Sequence, residues 1–151
     1  MTLQDRLSGD LKESLKGGNS IKCSVIRLLK SAVKYREIEK KAPLSDDEVI
    51  EVIMSGIKQR RDSIEQFSKG GRSDLVEKES KEIGILQAYL PQPLTDEELV
   101  DEVKAVMKEV GATSAKDMGK VMKALMPRLK GRAEGTKVSS IVKELMDATA
   151  H

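Results

Sequence analysis

The sequence predicts an all-α protein, with about four helices in an N-terminal domain and three shorter ones in a smaller C-terminal domain. Three observations carry that expectation. Apolar residues recur at helical spacing along almost the whole chain. Strand-type alternation is absent, and the β-branched residues fall at the same three-to-four spacing. Glycines, prolines and Ser/Thr–acid pairs stand where helices of ordinary length should stop and start. With 38% hydrophobic and 34% charged residues in 151, the chain is too apolar to remain disordered.

The first helix is marked by Leu3, Leu7, Leu11 and Leu15 at every fourth position, and Gly17-Gly18 stops it. A second begins near Asn19 or Ser20. Its stripe is Ile21, Val25, Leu28, Ala32 and Tyr35, widened by Ile26, Leu29 and Val33, and Lys41-Ala42-Pro43 ends it. Ser45 and Glu48 form a capping box for the third, whose face carries Val49, Ile53, Ile57, Ile64 and Phe67. Arg60 falls on that apolar face, so a carboxylate from a neighbouring helix is expected to meet it. Lys69-Gly70-Gly71 closes this helix. Asp74 and Glu77 offer a capping box for the fourth, which carries Leu75, Ile83, Leu86 and Leu90.

Two prolines in Leu90-Pro91-Gln92-Pro93-Leu94 exclude helix and stiffen the chain, giving a proline hinge. The expected division is therefore a domain over 1–90, a linker at 91–94 and a domain over 95–151. Thr95 and Glu98 cap the fifth helix, with Leu99, Val103, Val106 and Val110 inside and Gly111 at its end. Ser114 and Asp117 start the sixth, which carries Met118, Val121, Met122 and Leu125 as far as Pro127. The last runs from about Thr136 with Val138, Ile141, Val142 and Leu145.

Composition narrows the chemistry. The one histidine is His151, the terminal residue, so proton relays, His-based metal sites and Ser–His triads have no candidate. Asp96-Glu97-Glu98 reads as first-turn charge stabilised by the helix dipole. Lys69-Gly70-Gly71-Arg72 lacks the spacing of a phosphate-binding loop. Met118, Met122 and Met126 read as core filler, and Cys23 as a small buried residue. No cofactor or metal is expected, and no independent catalytic activity. No apolar run reaches the roughly 20 residues of a membrane span, and the polar start MTLQDRL has no signal-peptide character. With a single cysteine, these features lead to an expected cytoplasmic location and no membrane partner.

One segment stands out. Asp117–Gly135, DMGKVMKALMPRLKGRAEG, gathers Lys120, Lys123, Arg128, Lys130 and Arg132 in a chain of net charge +2. Concentrated charge of one sign points to an anion. Lys120 and Lys123 share a helical face, and Arg128, Lys130 and Arg132 follow in a loop bounded by Gly131 and Gly135 that leads into a helix N-terminus. Aromatic residues are only 2% of the chain, which points away from base stacking and toward phosphates and shape. A second reading stands level with this one: the cations solubilise a small bundle and neutralise the acidic Thr95–Glu109 helix beside them. A weaker basic stripe, Arg27, Lys30 and Lys34, reads as a solvated helix face.

Gly56–Leu99 and the DMGKVMKALMPRLKGRAEG segment resemble the GatB/YqeY proteins, and the whole chain resembles the free-standing YqeY type. The family often has Ala-Asp-Gly where this chain has Ala133-Glu134-Gly135. The resemblance implies an all-helical protein with a smaller three-helix C-terminal domain. It also implies kinship with the tail of the tRNA-dependent amidotransferase B subunit, which contacts the tRNA body. Carried over by position, Lys120, Lys123, Arg128, Lys130, Arg132 and Lys137 become candidates for contacts to an RNA backbone. The expected function is that of a non-catalytic accessory protein binding RNA, tRNA first. The alternatives are an adjunct of a carbon–nitrogen ligase using glutamine as amide donor, such as the Glu-tRNA or Asp-tRNA amidotransferase, and a helical adaptor clasping a partner protein.

Overall fold

A computed structural model describes residues 1–149; among them are seven α-helices, two short 3-10 turns and no strand. His151, which the sequence gives no catalytic partner, lies outside the described residues. The chain divides into two compact units, Met1–Leu90 and a second from Pro91 onward.

The first unit holds α1 (Leu3–Lys16), α2 (Ser20–Lys40), α3 (Asp46–Lys69) and α4 (Ser73–Gln87). Its core joins Leu7 of α1, Val25, Ile26, Leu29 and Val33 of α2, Val49, Val52, Ile53 and Ile57 of α3, and Ile83 and Leu86 of α4. Each such side chain contributes roughly 1.5–3 kcal/mol by leaving water. The helix ends are set locally. Thr2 and Asp5 form a capping box that the apolar spacing does not reveal, with Asp5 N–H donating to Thr2 Oγ1 at 3.1 Å. Gly17 caps α1, and Gly18 takes a positive φ of 72° to turn the chain into α2. Lys41 caps α2 at φ 61°, a conformation unusual for a residue with a side chain.

Three expectations for these helices are corrected. Leu15, read as the end of the α1 stripe, lies exposed. The inward face of α2 is Cys23, Val25, Ile26, Leu29 and Val33, while Ile21, Leu28 and Tyr35 lie exposed. The seven-residue series Ile21–Leu28–Tyr35 is self-consistent as a stripe, but Ile26, Leu29 and Val33 define a rival face about 130° away, and the core takes that one. For α4, the expected Asp74–Glu77 box does not form: Arg72 is the N-cap without a side-chain bond. Asp74 instead accepts from Arg72 Nη2 at 3.1 Å, which holds its carboxyl below the usual range.

The Ser45 capping box does form, with Glu48 N–H donating to Ser45 Oγ at 3.2 Å. Lys40 Nζ reaches Glu48 Oε1 at 2.6 Å. That bond first, and the Ser45 N–H second, lower Glu48 from the ordinary 4.5 to about 2. A carboxyl group with a depressed folded pKa stabilises the fold above its unfolded pKa, and the contribution fades as pH falls toward the folded value. The window for Glu48 is therefore 4.5 down to about 2, and solvent screening keeps the effect small. Thermal melts across that window are expected to show Glu48→Gln losing less stability on acidification than the parent chain; identical profiles would contradict the role given to Glu48.

Between α3 and α4, Arg60 meets the carboxylate its position demanded. Arg60 Nε donates to Glu82 Oε2 at 3.3 Å and Nη1 to the Gly56 carbonyl at 3.2 Å. Gly56 lies against this pair: a Cβ there would be in ordinary contact, 3.4 Å from Arg60 Nη1 and 3.6 Å from Leu86 Cδ1. At the far end of the unit, buried Tyr89 donates its hydroxyl to Asp10 Oδ2 at 2.5 Å. Arg6 lies 4.7 Å from the Tyr89 ring centroid and donates to the Ala88 carbonyl at 3.2 Å. Burial first, then the Asp10 bond, pushes the Tyr89 phenol up, so it remains the donor.

The second unit holds α5 (Asp96–Val110), a 3-10 turn (Ala115–Asp117), α6 (Met118–Leu125), a second 3-10 turn (Met126–Arg128) and α7 (Gly135–Thr149). Leu99, Val103, Val106 and Met107 of α5 pack with Val121, Leu125 and Leu129, and with Val138, Val142 and Met146 of α7. Gly111, with φ 68°, caps α5 as its position suggested. Pro127 tightens the end of α6 into the second 3-10 turn rather than breaking the chain outright, because its missing N–H falls at the start of that turn.

Candidate nucleic-acid interface

The basic segment is built as a short helix, a tight turn and a return loop, each fixed by ordinary local bonds. Asp117 Oδ2 accepts from Thr113 N–H at 3.0 Å and Ser114 N–H at 3.4 Å, anchoring the entry to α6. Those bonds, Thr113 first, lower the Asp117 carboxyl pKa. After α6, buried Leu129 fastens the loop to the core, and Gly131 adopts φ 77°, which a side chain would resist. Arg132 N–H closes the turn on the Leu129 carbonyl at 2.8 Å.

Arg132 then ties the segment to the start of its own unit. Its Nε donates to the Gln92 carbonyl at 3.0 Å, and its own carbonyl accepts from Leu94 N–H at 3.0 Å. Leu94 packs against the core of the second unit. The acceptor at Gln92 is backbone, so nothing in the sequence marked it as the partner.

Two further candidates are held by acids of α5. Arg128 forms a two-pronged pair with Glu109, Nη1 to Oε1 at 3.3 Å and Nη2 to Oε2 at 2.5 Å. This guanidinium holds the Glu109 carboxyl below its usual range. Lys137, at the start of α7, pairs with Asp96 in the first turn of α5. Lys130 is half-buried and is also engaged in an interaction. Lys120 and Lys123 stand exposed on α6.

The structure thus gives the six candidates unequal standing. Lys120 and Lys123 form an outward cationic pair on one helix; Arg128 and Lys137 neutralise α5; Arg132 is a fastening of the 92–94 segment. The segment therefore divides between cations that face solvent and cations that serve the unit's own acids and backbone. The pairings with α5 were legible in kind, from the acidic helix beside a basic loop, but their assignment to Glu109 and Asp96 needed three dimensions. The other basic stripe is also divided: Arg27 and Lys34 are exposed, while Lys30 Nζ donates to Ser8 Oγ at 3.0 Å.

Among the described residues, no three His, Cys, Asp or Glu side chains converge as metal ligands. None of the described helices is long and apolar enough to cross a membrane. A shallow cavity of about 320 Å³ lies between α1 and α2, lined by Gln4, Leu7, Lys30, Ser31, Val33, Lys34 and Glu37. Gln4 Nε2 and Leu44 N–H both donate to Glu37 Oε2, at 3.2 and 2.9 Å, so its carboxylate is occupied in holding α1 and the α2–α3 loop.

These features define an all-helical protein whose second unit carries a cationic turn partly neutralised by its own acids. The chain belongs to the Yqey-like protein family, whose family model matches residues 4–146. It is similar to "Altered inheritance of mitochondria protein 41, mitochondrial" of Pyrenophora tritici-repentis, with 33% identity over 148 residues, covering 95% of this chain and 80% of the relative. The protein of the same name from Lachancea thermotolerans is 39% identical over 97 residues, 63% of this chain and 52% of that protein. That from Saccharomyces cerevisiae strain YJM789 is 32% identical over 141 residues, 93% and 66% respectively. The chain therefore spans only about half to two thirds of these last two relatives.

The names correct one expectation. These relatives are named as mitochondrial proteins, which overturns the cytoplasmic location inferred from the sequence. The inference rested on a lone cysteine and a polar start. The first suits any reducing compartment and the second bears only on secretory signals, so neither distinguishes the cytoplasm from another interior compartment.

Proposed function

We propose that this chain is a non-catalytic accessory protein that binds structured RNA, tRNA foremost, through phosphate and shape contacts made by its second unit. The observation that carries this reading is the exposed Lys120–Lys123 pair on α6, followed directly by the cationic turn. The Arg128–Glu109 and Lys137–Asp96 pairs, at the two ends of α5, are about half exposed or more. Exposed pairs of this kind contribute about 0–1 kcal/mol, so a phosphate that offers an arginine two acceptors can replace the carboxylate. The choice of tRNA rests on the family's resemblance to the amidotransferase tail. Scarce aromatics, at 2% of the chain, favour backbone contacts over base stacking.

Filter binding of labelled tRNA across a salt series tests the proposal. Affinity is expected to fall steeply between about 50 and 200 mM salt, because bound phosphates release counterions. Lys120→Glu with Lys123→Glu should weaken binding and flatten the slope by roughly one unit for each phosphate that is no longer neutralised. These exposed positions leave the fold intact, unlike Arg132, whose removal would also loosen Gln92. Undetectable binding at low salt would refute the proposal.

A further inference from the structure

The apolar spacing assigns Ile21, Leu28 and Tyr35 to the core, and the structure leaves them outside. Ile21 is 42% exposed, Leu28 60%, Tyr35 65% and Ile38 66%. Residues seven apart drift only about 20° per step around a helix, so Ile21, Leu28 and Tyr35 form one lengthwise seam. Three positions further along each repeat come Ser24, Ser31 and Ile38. Four of these six a/d-type positions are apolar, which gives a seam another helix can pack on, and the two serines are small enough to let it approach closely. From Ile21 to Ile38 the seam is about 26 Å long, and one edge carries Arg27 and Lys34, with Lys41 continuing the spacing at the C-cap.

We propose that this face of α2 is a docking site for an acidic amphipathic helix of another protein. The commitment to an acidic helix comes from charge. The positions that flank the seam as g are all basic, and those on the other edge are Val25, which is buried in the core, Ala32 and Glu39, so that edge supplies a single acid. A second copy of this chain fits poorly. Antiparallel pairing sets Arg27 and Lys34 against their own equivalents, and parallel pairing matches Lys34 with Glu39 but leaves Arg27 facing Ala32. A lipid surface calls for an apolar face about 100° wide or more, whereas serines interrupt this one. An RNA would find one exposed aromatic ring, Tyr35, on an otherwise aliphatic strip. The inference concerns the first unit and does not depend on RNA binding by the second.

The test uses the full chain and two synthetic helices of three heptads, both with Leu at a and d, one with Glu at every e and g and the other with Lys. Like charges keep each peptide from pairing with itself. Fluorescence anisotropy is expected to show the glutamate peptide binding at least tenfold tighter than the lysine peptide at low salt, with backbone amide shifts confined to residues 21–41. Leu28→Glu should abolish binding, as should Ile38→Ser with Tyr35→Ser if the first change perturbs the fold by circular dichroism. Arg27→Glu with Lys34→Glu should reverse the preference in favour of the lysine peptide. Equal affinity for the two peptides, or shifts mapped elsewhere, would overturn the proposal. So would a dimer in sedimentation, or binding to anionic vesicles or tRNA, that outcompetes the glutamate peptide and vanishes with Leu28→Glu.

Discussion

Glu82→Ala is expected to destabilise the first unit by about 3 kcal/mol or more, because it strands a mostly buried guanidinium. Arg60 and Glu82 side chains are 16% and 11% exposed, and the remaining bond from Arg60, to the Gly56 carbonyl, satisfies one of its donors without supplying a charge. For a unit the size of Met1–Leu90 the loss corresponds to a fall in Tm of roughly 12–24 °C. Replacing both partners by apolar residues, Arg60→Met with Glu82→Leu, should come within about 1 kcal/mol of the parent or exceed its stability, since no ion then has to be desolvated. Calorimetry or urea unfolding separates the two outcomes. If Glu82→Ala melts within a degree or two of the parent, water reaches the pair and its role is that of a surface bridge.

Leu125→Ala is expected to cost about 2.7–5 kcal/mol and to unfold most of the second unit. Leu125 is 0% exposed and packs with Val121, Leu129 and the inner faces of α5 and α7. A core built from about 60 residues rarely supplies more than about 3–5 kcal/mol, so the loss of one large side chain is comparable with everything that holds it. Hydrogen exchange should show amide protection lost across α5, α6 and α7 while α3 and α4 keep theirs. Full protection in the second unit would mean that the cavity collapses at little cost, or that its core draws stability from elsewhere.

The helices were legible because each begins or ends on chemistry contained within a few residues. Ser45 with Glu48, Gly17, Gly70 and Gly111 act through local bonds, and all four stand where the spacing placed them. Arg60 was legible for a different reason: a cation on an apolar face needs an acid, whichever helix provides it. Two failures have different causes. On α2 two apolar faces compete, and only packing against α1, α3 and α4 decides which is buried. At α4, Asp74 had an alternative partner in Arg72, two residues away, which a capping template does not consider.

The basic segment was partly legible. Its cations and its glycine turn could be read directly, and Gly131 does take the left-handed conformation. Which cations face solvent and which serve the unit's own acids depends on the approach of α5, and on a backbone carbonyl at Gln92 that has no signature in the sequence. Lys123 and Arg128 look alike in a string of letters. One is exposed on α6 and the other is clasped by Glu109.

The Tyr89 latch has a consequence for how the protein comes into being. Asp10 and Tyr89 are 79 residues apart, and Arg6 reaches the Ala88 carbonyl across 82. During synthesis α1 leaves the ribosome first, yet its last partners arrive only when the whole of α4 has followed. Pairings so distant along the chain form late, after the loop between them has closed. Until Tyr89 emerges, neither the bond to Asp10 nor the bond to the Ala88 carbonyl can form, so these fastenings of the first helix come after those it makes with α2.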